Sequence, residues 1–577
     1  MKVDDGPTYW FTDKFIEPAL KLDWENHAIL CHNTLFDGAI LSWKYGVKPG
    51  MWFDTLSMAK ALHGSDAGGS LKALAERYQV GVKGDEVLNA LGKRRKDFSD
   101  ADLDRYGDYC RNDVDVCRRL FDAMSRSFPD SEFGLIDLTI RMYTEPSLMV
   151  DADLLVQRLE QVKKDKQSML RGLMDFLEVG NEEEVQKKLG SNPQFAQLLK
   201  DYGVEPPMKV SPTTGKETYA FAKTDSGFIS LQEHPDFEVQ QLCAVRLGTK
   251  STLEESRIER FIAIGGRNHS YLPVPLRYYG AHTGRWSGSD KVNFQNLPSR
   301  NKEKKALKNA IVAPPGHVII NADSSQIEAR VLAWFAEQND LVRQFANGED
   351  VYSTFASKVF GKPISKANPV ERFVGKTCIL GLGYGTGFKK LHDTLKLGGA
   401  DLDAAECERI VRLYRQENHR IVELWRECDL ALGSLTSNVG KPFGLGREVD
   451  EDYPVMIEPS KGVLLPNNLH IRYPNLRTRE GKYVYDSRKG PINIWGGGMV
   501  ENVVQALARI IVGEQMMAIS SRYPIALTVH DAAVCVVREV DLDAAVQWIT
   551  QCMSTPPDWG RGLPVTCEAV SYTHLTL

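Results

Sequence analysis

A carboxylate at the end of a short apolar strand constrains this chain more than any other feature. In residues 317–335, HVIINADSSQIEARVLAWF, the run Val318, Ile319 and Ile320 leads to Asp323. Ile327, Val331, Leu332 and Phe335 then recur at helical spacing. A carboxylate on a rigid strand end can offer oxygen to a hard divalent cation such as Mg²⁺. Alone, the same Asp reads as a cap or turn residue, so a metal site needs a second acid. Ser325 and Glu328 similarly fit a capping box, in which they satisfy free amides at a helix start. About two hundred residues on, 525–537 reads IALTVHDAAVCVV, a strand-turn-strand pattern with Asp531 at its tip. Two strand-end acids on one site are what two-metal phosphoryl transfer requires.

The chain has 577 residues, enough for about four domains. No uninterrupted apolar run approaches the roughly 20 residues of a membrane span, and residues 1–13 lack a signal-peptide pattern. The expectation is a cytosolic protein with no membrane partner. Ten scattered cysteines, none in a C-x-x-C pair, argue against structural zinc and a disulfide framework and predict reduced, mostly buried thiols. The net charge of −5 gives no global sign of nucleic-acid binding, which leaves a local basic groove as the means of holding phosphates.

Two further stretches carry chemistry. Residues 278–298, YYGAHTGRWSGSDKVNFQNLP, place Arg285, Asn293, Gln295 and Asn296 on an extended polar run. Such side chains reach minor-groove acceptors and sugar–phosphate oxygens. In 371–387, ERFVGKTCILGLGYGTG, Arg372, Lys376, Leu380 and Tyr384 recur every fourth residue along a helix. Two cations a turn apart can hold a triphosphate, with the aromatic beyond them to stack a base. Gly375, Gly381 and Gly383 are costly in an ordinary helix and predict close approach of a ligand or another backbone.

Elsewhere the reading is coarser. Residues 1–125 form an α/β unit, with a buried strand over 28–33 and a helical pattern after Phe36. Residues 132–264 are helical and charged, with Lys163, Lys164 and Lys166 on a solvated face and a turn-rich break around Pro206-Pro207 and 211–218. A long helix begins at 496–506, GGGMVENVVQA.

In order and spacing these motifs resemble motifs A, B and C of family A DNA polymerases, phage-type, over residues 28–569. The resemblance implies an α/β multidomain fold: an RNase H-like exonuclease-type domain followed by a right-hand polymerase of palm, fingers and thumb. The expected divisions are a partial 3′–5′ exonuclease-like domain at 1–125, thumb at 126–270, palm at 271–336, fingers at 337–435 and palm again at 436–577. The ending from Ala569 lacks the polymerase-like close and is expected to be a foreign tail.

By the same resemblance, Asp323, Asp531 and the Ser324 carbonyl hold two Mg²⁺ ions, with Mn²⁺ as a substitute. Asp323, Asp531, Arg372 and Lys376 are the catalytic set, and Gln326, Glu328, Leu380 and Tyr384 join the two cations around the nucleotide. Glu328 walls off the ribose 2′-hydroxyl. Arg285, Asn293, Gln295, Asn296, Lys250, Ser251, Thr252, Glu501, Gln505 and His530 contact primer–template DNA. Leu380 stands where the family has Phe or Tyr. Ala532 stands where a Glu commonly follows the motif C Asp, so weakened metal affinity is expected.

His32-Asn33-x3-Asp37 and Tyr109-x3-Asp113 resemble the second and third exonuclease motifs, while the first, Asp-x-Glu, is missing, and little or no exonuclease activity is expected. The partners implied are primer–template DNA, dNTPs and replication accessory proteins, with the protein a monomer in the cytoplasm of a bacterial host. A single-subunit RNA polymerase and a catalytically silent DNA-binding replication protein are the alternatives; Glu328 argues against the first, and intact Asp323, Asp531, Arg372 and Lys376 against the second.

Overall fold

The apolar run that ends at Asp323 becomes an inner strand of a four-stranded antiparallel sheet in a computed structural model of the chain. The structure describes every residue except 13–14, 66, 85, 87–89, 175–176, 212–214, 224, 233, 235, 251–252, 268, 291–292, 298–304, 489 and 575–577. Two units emerge from the packing. The larger holds Met1–Ser147, Pro273–Asn296 and Ala313–Thr573; the smaller holds Leu148–Leu272, Leu297–Val312 and His574–Leu577.

In the larger unit, the N-terminal stretch builds a two-stranded parallel sheet from β1 (Ala28–Cys31) and β2 (Met51–Asp54), with α1 (Thr34–Ala39) between them. The polar helix α2 (Asp100–Ser125) and the mostly buried α3 (Asp130–Thr144) follow. Asp54 is buried and accepts from the amides of Asn33, Thr34, Leu56 and Ser57, which caps the helix Thr55–His63 and pins the turn after β1.

In the smaller unit, α4 (Ala152–Arg171) lies along α6 (Leu253–Arg267), which follows α5 (Phe237–Lys250). Arg158 bonds Glu254 at 2.8 Å, and Lys166 and Lys163 reach Glu255 and Glu259, each at 3.2 Å. Two of the lysines read as solvated are therefore paired across a helix interface. The stretch read as a turn-rich break contains a short hairpin in which Met208 pairs with Tyr219. Arg246 is buried under the rings of Phe195 and Phe221, 4.3 and 5.0 Å from their centroids.

The polymerase-like motifs fall in the larger unit. Its four-stranded sheet runs β4 (Ile525–Val529), β5 (Ala532–Arg538), β3 (His317–Ser324), β6 (Cys567–Tyr572). Residues 569–572, expected to be foreign, pair with β3 as far as Tyr572 opposite Ile319. The core beside the sheet gathers buried residues of α7 (Ile327–Phe335), α8 (Val351–Phe360), α9 (Pro369–Gly381) and α10 (Gly496–Ser520). By length and composition α10 could cross a bilayer, but most of it is enclosed by protein in the manner of a core helix. All ten cysteines are free thiols and seven are buried.

One polar cluster sits within this apolar mass. Glu132 on α3 and Arg509 on α10 are 2% and 1% exposed and pair through two bonds of 2.7 and 2.9 Å. Tyr278 and Asn467 also donate to Glu132, and the guanidinium lies 4.7–5.2 Å from the ring centroids of Tyr278, Tyr279 and Trp286. Burial would raise the Glu132 carboxyl, but Arg509 beside it outweighs burial and holds it below its usual value. Removing one partner strands a buried charge. Glu132→Ala is expected to lower unfolding stability by about 3–5 kcal/mol, read from urea transitions, and the paired change Glu132→Gln/Arg509→Met by less.

Candidate active site

The sheet brings the two sequence-predicted acids to one end. Asp323 is the penultimate residue of β3, and Asp531 sits in the tight turn between β4 and β5. The amide of Ser324 donates to the carbonyl of Asp531 at 3.2 Å, which fixes the turn against the strand end. His530 takes the left-handed conformation, φ +52°, uncommon outside glycine and frequent where backbone is held for function. The Asp323 carboxyl is pushed up from its usual range by burial, then by the nearby charges of Asp531 and Glu568. Asp531 is also raised by burial, partly offset by Arg285 and His530. Crowded, partly desolvated carboxylates with no bound cation carry this signature, and hard oxygen donors suit Mg²⁺.

Arg285 stands between Asp531, 3.9 Å away, and Glu328, with which it forms a close ion pair. The Tyr384 hydroxyl donates to the other Glu328 oxygen at 3.4 Å. The capping box read from Ser325 and Glu328 does not form. The helix instead begins after Gln326, which is left-handed at φ +54° and makes no side-chain cap, and Glu328 turns to Arg285 and Tyr384. The pull of a guanidinium across the site outweighs a local cap.

The predicted triphosphate helix is α9. Arg372 donates twice to Asp350, at 2.7 and 3.1 Å, and its guanidinium lies 5.4 Å from the Tyr352 ring centroid. Lys376 and Leu380 are exposed at successive turns, and Tyr384 follows on a short 3₁₀ turn. Asp350 and Tyr352 were not singled out in the sequence. The Asp350-x-x-Ser353 pattern signals a helix cap, and Asp350 does accept from the Ser353 amide and hydroxyl. Nothing local told that the same carboxylate would hold Arg372.

Gly375 has the close neighbour its type predicts, since a Cβ there would lie 2.1 Å from the Tyr352 carbonyl oxygen of α8. At Gly383 a Cβ would meet Leu332, whereas Gly381 has open space, so the glycine run reflects helix packing in part only.

Of the residues predicted to contact DNA, Gln295 lies at the same end of the sheet. The Gln295 side-chain Oε1 accepts from the His530 backbone amide at 3.2 Å, and the Gln295 backbone N–H donates to Asn293 Oδ1 at 3.1 Å. Thr283 donates to Gln505 at 3.4 Å, and Gln505 donates to Glu501 at 3.2 Å. Ser251 and Thr252 lie outside the described residues, as do the side chains of Lys250 and Asn296.

In the N-terminal part, Asp37 and Asp113 line one cavity of about 1820 Å³, together with His32, Asp54 and Lys83. Lys83 donates to the Tyr109 hydroxyl at 2.7 Å and forms a close ion pair with Asp113. An ammonium therefore stands on the pair to which the resemblance assigns metal and attacking water. Lys83 was not noticed in the sequence, where a lone lysine in a loop carries no signal.

Comparisons with known proteins agree with this geometry. Residues 157–431 match the family model of DNA polymerase family A, and 13–128 match that of the 3′–5′ exonuclease. A DNA polymerase of Bacillus phage SP02 is 25% identical, over 96% of this chain and 89% of its own length. DNA polymerase I of Pseudomonas aeruginosa is 28% identical over 58% of this chain, which spans 36% of that longer protein. Among solved structures, the POL domain of Pol1 from M. smegmatis, in complex with DNA primer-template and dNTP, shares the fold with a TM-score of 0.69. That likeness is at 20% identity and covers 97% of this chain and 88% of that one.

An exonuclease-type domain followed by a polymerase domain with two acids at one sheet end defines a template-copying nucleotidyltransferase. The polymerase domain matched over residues 157–431 belongs to DNA polymerase family A, the DNA-directed DNA polymerases that use divalent metal ions.

Asp350→Asn keeps an acceptable helix cap and loosens the hold on Arg372. A partly exposed ion pair is worth up to about 1 kcal/mol, so the dNTP KM is expected to fall about fivefold at most, with Arg372→Ala raising it; single-nucleotide insertion kinetics read both.

Proposed function

We propose that this chain extends a primer 3′-hydroxyl on a DNA template with deoxynucleotides, using two Mg²⁺ ions. The convergence of Arg285, Glu328, Tyr384 and Asp531 carries this reading, because it joins residues of motifs A, B and C with the polar stretch upstream. Asp323 and Asp531 would hold the ions, with the Ser324 carbonyl as a further oxygen. When bound, the ions supply a lower pKa at the primer hydroxyl and charge neutralisation at the departing pyrophosphate.

The chain's own groups do the rest. Arg372 exchanges Asp350 for phosphate and, with Lys376, offsets charge that builds on the triphosphate. Gln326, beside Arg330 at 3.5 Å, lies at the start of the same helix as Glu328. Glu328, held by Arg285 and Tyr384, walls the space where a ribose 2′-hydroxyl would sit. Leu380 lies against the sugar, and Tyr384 stacks near the nascent pair. Arg285, Gln295 and His530 grip the primer end, and Glu501 and Gln505 lie beside the template. Phosphate contacts of this kind make DNA affinity fall steeply with salt.

The likeness to a phage polymerase supports a role in phage DNA replication, as a monomer in the host cytoplasm alongside replication accessory proteins. Proofreading is absent from this reading, since Lys83 occupies the Tyr109–Asp113 pair.

Asp323→Ala and Asp531→Ala are each expected to abolish primer extension with DNA binding retained. Failure of the unaltered chain to extend a primer with any nucleotide would remove the enzyme reading. Glu328→Ala should raise rNTP incorporation about tenfold or more, the effect of roughly 1.4 kcal/mol; unchanged selectivity would return Glu328 to a purely structural role. On mismatched primer ends no metal-dependent degradation is expected, and degradation lost in Asp37→Ala would overturn that expectation.

A further inference from the structure

The sheet register places a carboxylate at the polymerase site that no motif assigns. Asp323 on β3 is flanked by Ala532 on β5 and by Glu568 on β6, each directly opposite it in antiparallel pairing. Directly opposed residues project from the same face with Cβ atoms about 5 Å apart. Position 532, where a third acid is expected by resemblance, holds a methyl group. The mirror position on the other flanking strand holds Glu568.

Its side chain is exposed and has no ion pair or hydrogen bond among the described residues. Arg285, the guanidinium beside Asp531, is already engaged with Glu328. Glu568 also lies close enough for its charge to act on Asp323 together with that of Asp531. Among the described residues no three acidic, histidine or cysteine groups close on a single ion position, so Glu568 is assigned no direct ligation.

We propose that Glu568 is the third carboxylate of the polymerase site, a positioning residue that strengthens divalent-cation binding at Asp323 and Asp531 through its charge and through metal-bound water. This rests on the two-acid reading above, and it replaces the expectation that Ala532 leaves metal affinity weakened. A negative charge within about 6 Å of the ion position favours a divalent cation even when it does not ligate directly.

The test is Mn²⁺ binding to the full chain, followed by the loss of free-ion EPR signal, beside the Mg²⁺ concentration giving half-maximal primer extension. Glu568→Gln, which keeps shape and removes charge, should weaken Mn²⁺ binding about tenfold and raise the Mg²⁺ midpoint by a similar factor. Glu568→Asp should lose less. Ala532→Glu in the Glu568→Gln background should restore both values, because the register places positions 532 and 568 on either side of Asp323, each directly opposite it. Wild-type Mn²⁺ affinity in Glu568→Gln, with Asp531→Ala deficient, would overturn the proposal and leave the two-acid site standing. Unchanged binding in Asp531→Ala would instead remove the two-acid site itself. A loss that Ala532→Glu does not restore would also count against Glu568, assigning the effect to the strand rather than to charge.

Discussion

The buried pair of Glu132 and Arg509 is the interaction on which the larger unit depends. It joins residues 377 positions apart, and its further partners Tyr278 and Asn467 come from two other segments. Four stretches of chain thus meet at one carboxylate. Because a charge left alone in that apolar mass costs several kcal/mol, the segments can come together in one arrangement only. Arg509 lies on the same helix as Glu501 and Gln505, and Tyr278 opens the stretch that leads to Arg285. The placement of Arg285, Glu501 and Gln505 is thus tied to this buried pair through the elements that carry them.

A second pattern concerns cations held ready. Arg285 rests on Glu328, Arg372 on Asp350 and Lys83 on Asp113. In the polymerase part these pairs are partly exposed, so a phosphate can compete for the guanidinium at modest cost. Asp323 and Asp531, by contrast, stand at one sheet end with both carboxyls raised by burial, and Asp323 raised further by the charge of Asp531. The exonuclease-type cavity breaks this pattern, since there an ammonium covers the acid.

Much of this was legible without coordinates. The apolar runs of 318–320 and 525–537 became strands, and both acids lie at the strand ends their patterns placed. The helical spacing of Arg372, Lys376 and Leu380 held to Gly381, beyond which a 3₁₀ turn carries Tyr384. Local chemistry misled at Glu328, where a capping-box pattern is real in sequence but loses to Arg285. It was silent about Lys83 and Glu568, each an isolated charge with no neighbour of matching type. It was silent too about Ala569–Tyr572, which becomes a strand only as the partner of one some two hundred and fifty residues earlier.

The sequence by itself determined which segments are strands or helices, which acids stand at strand ends and which family the ordered motifs belong to. Those properties are written in periodicity and in residue type at fixed spacing, and both survive without knowledge of neighbours. Tertiary structure alone decided what each charge faces: Arg372 to Asp350, Glu328 to Arg285, and Asp323 between Ala532 and Glu568. Electrostatic pairing and strand register depend on distance in space, and a linear chain does not record which distant groups will share a few ångströms.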